Sequence, residues 1–251
     1  MSIAKKKTVY EAPALEKGLD ILELLAGTVD PMSLSRISEA VGRSRSEMYR
    51  VLQVLERRHY LERLPDDDRY ILTNRLFMLG MERPAIKGLL EIALPMMHEL
   101  SEDIQQPCHL VVPSDQHMVV IARVESPYEL GLVVRIGHRR PLLEATSGLV
   151  LISFQPESVR AQWLQRGATT RRPGRATLLE TLTTIREQGY ACIPSTVVPG
   201  VTDLSAPILA GSAAVAALAV PYMDLVGVRK SRDEVIKALR ATTKEISKKL
   251  G

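Results

Sequence analysis

The sequence predicts an α+β protein in two parts: a small helical unit closed by a β-hairpin, then a larger mixed α/β unit. Three helical apolar periodicities lie within roughly the first sixty residues, joined by short turns and followed by two alternating runs around a Pro/Asp turn. Past Pro107, apolar strand-like runs alternate with helical patterns. At 251 residues the chain is comfortable for one large domain or two ordinary ones.

In the first part, Leu15, Leu19, Ile21, Leu22 and Leu25 recur at helical spacing, and Pro13 suits a first turn. After the loop GTVDPM, Ser33 caps a second short helix carrying Leu34, Ile37 and Val41, which Gly42 stops. Ser44-Arg45-Ser46-Glu47 then forms a capping box. Behind it Met48, Val51, Leu52 and Leu55 make one apolar face. Tyr60–Leu64 and Arg69–Leu72 flank Pro65 and Asp66–Asp68, which reads as a hairpin. Three helices and a hairpin outline a winged helix-turn-helix.

The pattern breaks around Met81–Pro84. Lys87 to Ile104 reads as connecting helix, bent or restarted near Pro95. His109–Val112, Met118–Arg123 and Leu130–Ile136 are strand-like. Helices follow around Pro156–Leu164 and Thr177–Gln188, the second with a Thr177/Glu180 capping box and Gly189 as its stop. Leu204–Ile208 and Ala213–Val220 look like buried strands. A last helix starts at the Ser231/Glu234 capping box and ends in Lys244, Lys248 and Lys249. The expected organisation is 1–80, 81–106 as linker helices, and 107–251.

Composition narrows the function classes. Apolar residues at 45% and charged residues at 25% fit a folded chain, and the net charge of +4 is a mild basic bias compatible with nucleic acid. Aromatics at 4% argue against stacked-base, single-strand binders. Cys108 and Cys192 suggest neither a disulfide framework nor a metal site, so a cytoplasmic location is expected. The start lacks a secretory apolar stretch and the longest apolar run, Ala213–Met223, is too short for a bilayer, so no membrane partner is expected. No cofactor is expected. His59, His98, His109, His117 and His138 show no ligand spacing, and Asp66–Asp68 lacks the Gly and distal Glu of a calcium loop, so no metal is expected either.

The helix pair from Ser33 to Arg57 carries the clearest chemistry. With Met48, Val51, Leu52 and Leu55 inward, Arg45, Ser46, Tyr49, Arg50 and Gln53 point outward. Guanidiniums, a phenol, an amide and a hydroxyl on one helix face can donate to phosphates and to base edges in a major groove. Seven arginines face four glutamates across Ser33–Arg63, and the hairpin adds Arg69. Ser44, Arg45, Ser46, Tyr49, Arg50, Gln53 and Arg69 are therefore the expected contacts to double-stranded operator DNA.

With these segments the chain resembles the IclR-type bacterial transcriptional regulators. In the first part the resemblance rests on ALEKGLDILELLA, LSRISEAVGRSRSEMYRVLQVLERRHYLER and Arg69–Thr73. In the second it rests on Gly137–Leu142 running into Thr146-Ser147-Gly148, on Gln188–Ala191, on Pro199–Pro207 and on Ala216–Val220. It implies a winged helix-turn-helix, a linker helix, and a C-terminal effector-binding and oligomerisation domain with a curved antiparallel sheet, GAF/profilin-like. It also implies a homodimer or dimer of dimers on a pseudo-palindrome. The effector it implies is a small organic molecule, a carboxylate or an aromatic or hydroxylated metabolite.

The resemblance places the effector cavity near Val133, Thr146, Ser147, Asp203, Ala219 and Pro221. Backbone N–H groups opening the helix at Thr146 and Ser147 could hold an anion there. A methyl group at Ala219 and a ring at Pro221 predict a rather apolar pocket, and an ionised Asp203 would suit a ligand donor or be held by an arginine such as Arg135. His109 opens a strand that could present it to the cavity; a strand histidine bonded to backbone is the plainer alternative. His138 and Arg139 are expected to be exposed. The competing class is a small-molecule-converting enzyme with an accessory winged helix. No G-x-S-x-G, phosphate loop, H-E-x-x-H or dinucleotide fingerprint supports it.

Overall fold

A computed structural model describes residues 12–65, 67–128, 131–166, 175–227 and 230–251. The chain divides into two compact units, 1–86 and 87–251.

In the first unit, α1 (Pro13–Ala26) starts with Pro at its first turn and buries Ile21, Leu22 and Leu25. The two-residue strand β1 (Met32–Ser33) leads into α2 (Leu34–Val41), whose first-turn Arg36 N–H is accepted by the Ser33 hydroxyl. Gly42 ends α2 at φ 69°, a conformation costly for other residues, so the next helix can start soon after it. That helix is α3 (Arg45–Arg57), and Met48 and Leu52 are fully buried beneath it. Strands β2 (Leu61–Arg63) and β3 (Arg69–Leu72) pair antiparallel with Arg63 opposite Tyr70, and β1 extends the sheet on the other edge of β3. Asp66 of the hairpin tip lies outside the described residues. Helix α4 (Arg75–Met81), which the sequence pattern does not announce, buries no residue of its own.

Helix α5 (Pro84–Ile104) runs through Pro95 and starts earlier than expected. The second unit is built on one six-stranded antiparallel sheet. Its strands are β4 (Cys108–Ser114), β5 (His117–Val124), β6 (Arg139–Pro141), β7 (Ala191–Pro194), β8 (Val201–Ala210) and β9 (Ala213–Met223). The spatial order is β6-β5-β4-β9-β8-β7. Helices α6 (Thr146–Ser153) and α8 (Arg175–Gln188) pack on each other over the sheet, with α7 (Glu157–Arg166) between them in sequence. Helix α9 (Arg232–Leu250) starts at the Ser231/Glu234 capping box and lies along β8 and β9.

Two expectations need correction. The stretch Leu130–Ile136 is not a strand over its described residues, and Gly131–Arg135 carry no regular structure. Thr177 does not cap α8, because the helix already includes Arg175 and the Thr177 carbonyl accepts from Thr181 inside it. Capping boxes are local patterns, and Arg175 and Ala176 are themselves good helix formers. One feature of the sheet has no sequence signal. The end of β9 is closed by a side chain: the buried Gln106 amide donates to the Met223 carbonyl at 2.9 Å and accepts from its N–H at 3.3 Å, in place of a neighbouring strand.

Candidate functional site

Two surfaces carry chemistry, one in each unit. The first is the outward face of α3. Met48 and Leu52 hold the helix down, and Arg45, Ser46, Tyr49, Arg50 and Gln53 are all exposed. Gln53 Nε2 donates to the Tyr49 hydroxyl at 2.8 Å, so these two side chains form one polar platform. The start of the helix is fixed twice. The Ser44 hydroxyl accepts from the Glu47 N–H, while the Glu47 carboxylate accepts from the Ser44 N–H at 3.3 Å and from its hydroxyl at 2.8 Å. The other Glu47 oxygen takes Lys17 Nζ of α1 at 2.7 Å. Lys17, then Ser44, hold the Glu47 carboxyl down at about 2. Ser44 is thus both exposed and committed to the cap.

The hairpin brings two more cations to this unit, but not as free groups. Arg69 is paired with Asp67, and Arg63 donates to Asp68 at 2.6 Å. The acids raise both guanidinium pKa values. The sequence pattern places Arg69 among the DNA contacts without its carboxylate partner.

The second surface is a cavity of about 120 Å³ on one face of the six-stranded sheet. Strand register builds it. His109 on β4, Ala219 on β9 and Ser205 on β8 form one row across three strands, and Asp203 sits opposite Pro221 two residues along. Side chains alternate along a strand, so these positions share a face. The roof is the start of α6, where Thr146 and Ser147 line the cavity. A 3-10 turn, Leu142–Glu144, delivers the chain there. Thr146, Ser147, Asp203, Ala219, Pro221 and His109 are therefore brought together.

Val133 is not among them. It is 47% exposed and lies outside the lining, which takes Leu132 and Val134 instead. Burial alternates along Gly131–Arg135, so the inward positions fall on either side of the expected one. Arg135 is likewise exposed; the cation that acts on Asp203 is Arg140. His138 and Arg139 are exposed as expected, although His138 also borders the cavity. Met118, Arg140, Ser195 and Ser205 also line it, and sequence reasoning misses all four. The Arg140 and Ser195 positions carry no local signal; the strand alternation of Leu204–Ile208 is the one hint that could have found Ser205.

The electrostatics of the cavity centre on Asp203. Burial pushes its carboxyl up, while Ser195, Arg140 and Thr146 oppose that rise. Thr146 Oγ1 lies 3.4 Å from Asp203 Oδ2. Arg140 donates through Nη2 to the Glu144 carbonyl at 2.9 Å and the Thr196 hydroxyl at 3.3 Å. Ser205 donates to the Leu218 carbonyl at 3.1 Å. His109 is held down to about 4 by burial, with His138 adding to the effect, so it is a neutral imidazole near pH 7. His109 and Ser147 both line the cavity. The set can receive a small molecule with an apolar body and donor or acceptor groups.

Among the described residues no group of three or more His, Cys, Asp or Glu is placed to hold a metal ion. Among the same residues no helix is long and apolar enough to cross a membrane.

Comparison with known proteins gives the same two-part division. The family model described as IclR helix-turn-helix domain matches residues 14–65, and that described as bacterial transcriptional regulator IclR C-terminal matches residues 86–248. The chain is 27% identical to the HTH-type transcriptional regulator KdgR of Escherichia coli over 94% of its own length and 91% of that protein's. Among solved structures it is similar to an IclR regulator from Alicyclobacillus acidocaldarius (TM-score 0.77, 23% identity, 96% of this chain and 100% of that one). It is also similar to an IclR homolog from Microbacterium hydrocarbonoxydans complexed with 4-hydroxybenzoate (TM-score 0.78, 22% identity, 94% and 98%).

Proposed function

The chain belongs to the IclR family of bacterial transcriptional regulators, and we propose that its α3 face reads the operator while its sheet cavity takes the effector. It is a ligand-responsive DNA-binding regulator, not an enzyme. Its N-terminal region is the DNA-binding unit and its C-terminal region the effector domain. We assign 1–80 to DNA binding, 81–106 to linker helices and 107–251 to effector binding and oligomerisation.

The exposed row Arg45, Ser46, Tyr49, Arg50 and Gln53 above buried Met48 and Leu52 carries the DNA reading. Helices of this width enter a major groove, where arginine and amide side chains discriminate base edges. Salt-dependent binding to duplexes from the promoter next to its own gene is the test. Specific binding that survives Arg50→Ala and Tyr49→Ala together removes α3 as the reading element.

The cavity carries the effector reading, with Thr146, Ser147, His109, Asp203, Ala219 and Pro221 around it. The 4-hydroxybenzoate complex of the Microbacterium relative supports an effector of about single-ring size. A homodimer or dimer of dimers in the cytoplasm, on a pseudo-palindromic site, completes the proposal. Leu76, Phe77, Met78 and Leu79 leave α4 apolar and exposed, which supports self-association through that helix. Light scattering of the free protein should show at least a dimer, and Phe77→Glu should weaken it.

A further inference from the structure

We infer that the effector of this regulator is an uncharged, hydroxyl-bearing molecule, because the position a ligand carboxylate would take is occupied by the protein's own Asp203. The inference rests on the cavity being the effector site. The first turn of α6 is the electropositive end of a helix, where unpaired N–H groups favour an anion. Asp203 reaches that turn from β8, with its carboxylate 3.4 Å from Thr146 Oγ1. An anion of the protein's own therefore already stands beside this helix end.

Among the described residues the lining carries a single arginine, and a carboxylate of the protein's own already faces it. Arg140 faces Asp203 and is bonded to the Glu144 carbonyl and the Thr196 hydroxyl. His109 is half-buried and uncharged, and His138 is exposed to solvent. Asp203 already places one carboxylate in this half-buried site, and a bound carboxylate would add a second like charge beside it. Two other polar groups of the lining are of another kind. Ser147, 5% exposed, and the neutral His109 ring can each donate and accept one hydrogen bond. An alcohol or phenol does the same. Met118, Val134, Ala219 and Pro221 provide apolar wall for its carbon body.

The test uses the full-length protein and two matched pairs: 4-hydroxybenzyl alcohol against 4-hydroxybenzoate, and 1,4-butanediol against 4-hydroxybutyrate. Binding is read by thermal shift and calorimetry. Within at least one pair the alcohol should bind about tenfold or more tightly than the acid, since like charges repel strongly at low local dielectric. Asp203→Asn, or Asp203→Ala if the first variant is unstable, should narrow that ratio. Ala219→Trp should abolish binding. An acid that binds the wild type as tightly as its alcohol, and is lost in Ala219→Trp, overturns this inference while leaving the cavity as the effector site. Binding indifferent to Ala219→Trp, or no binding by either pair, overturns the cavity assignment and the inference with it.

Discussion

Gly148 lies so close to the Leu142 backbone that an added Cβ would sit 2.7 Å from the Leu142 carbonyl carbon and nearer still to its oxygen. No side chain stands there to yield; the obstacle is the main chain of the 3-10 turn that leads into α6. Gly148→Ala should therefore destabilise the second unit by about 1–3 kcal/mol or more. The same clash would move Thr146 and Ser147 away from Asp203, so effector response should fall further than stability alone explains. Chemical denaturation and ligand titration of the variant check both halves. A Gly148→Ala variant with wild-type stability would mean that the close approach is not kept in solution.

A second prediction separates reading from folding in α3. Arg50 is exposed and Leu52 fully buried, on opposite faces of the helix. Arg50→Ala should cost about 1–3 kcal/mol in operator binding if it meets a base edge, with unfolding unchanged. Leu52→Ala should cost about 2–5 kcal/mol in stability through the cavity it leaves. Titration of the operator and of denaturant on both variants gives a crossed pattern. A folded Leu52→Ala with full stability would refute the orientation of the helix.

How much the sequence reveals divides by range along the chain. The boxes Ser44/Glu47 and Ser231/Glu234 each lie within a single helical turn, and both are formed. The outward row of α3 is legible from period alone, because Met48 and Leu52 leave one face no choice. Helix α4 is not legible: Leu76, Phe77, Met78 and Leu79 are apolar in succession and define no face. The cavity is legible only as far as the family resemblance carries Thr146, Ser147, Asp203, Ala219 and Pro221. Arg140 joins it through Thr196 and Asp203, both far away in sequence, and Ser195 through Asp203 on the neighbouring strand; no local pattern records either. Val133 fails for a simpler reason: Leu132 and Val134 face the cavity, and an offset of one residue in an alternating stretch exchanges inward and outward positions.

A third prediction concerns acid. The unfolded Glu47 carboxyl titrates near 4.5, and Lys17 with Ser44 brings the folded one to about 2. A depressed folded value stabilises above the unfolded one and is lost as pH falls between the two. Comparing Glu47→Gln with the wild type should therefore give a stability difference that is steady at neutral pH and shrinks from about pH 4.5 towards pH 2. Operator binding at neutral pH should also weaken, because Ser44 and Arg45 lose their anchor to α1. A difference that does not change with pH would assign the effect to something other than this ionisation.

The wing supplies the last prediction. Arg69 and Arg63 are held by Asp67 and Asp68, so the hairpin presents neutralised pairs rather than free cations. DNA phosphates compete for the same guanidiniums, and contact requires that the pairs open. Asp67→Asn leaves Arg69 uncommitted. If Arg69 approaches the backbone, this variant should bind all duplexes more tightly and lose affinity with salt at least as steeply as the wild type. Arg69→Ala should do the reverse, reducing the salt slope by about one. Both slopes come from the same titration of binding against salt concentration. If neither variant departs from the wild type, the hairpin stands clear of the DNA and α3 alone accounts for recognition.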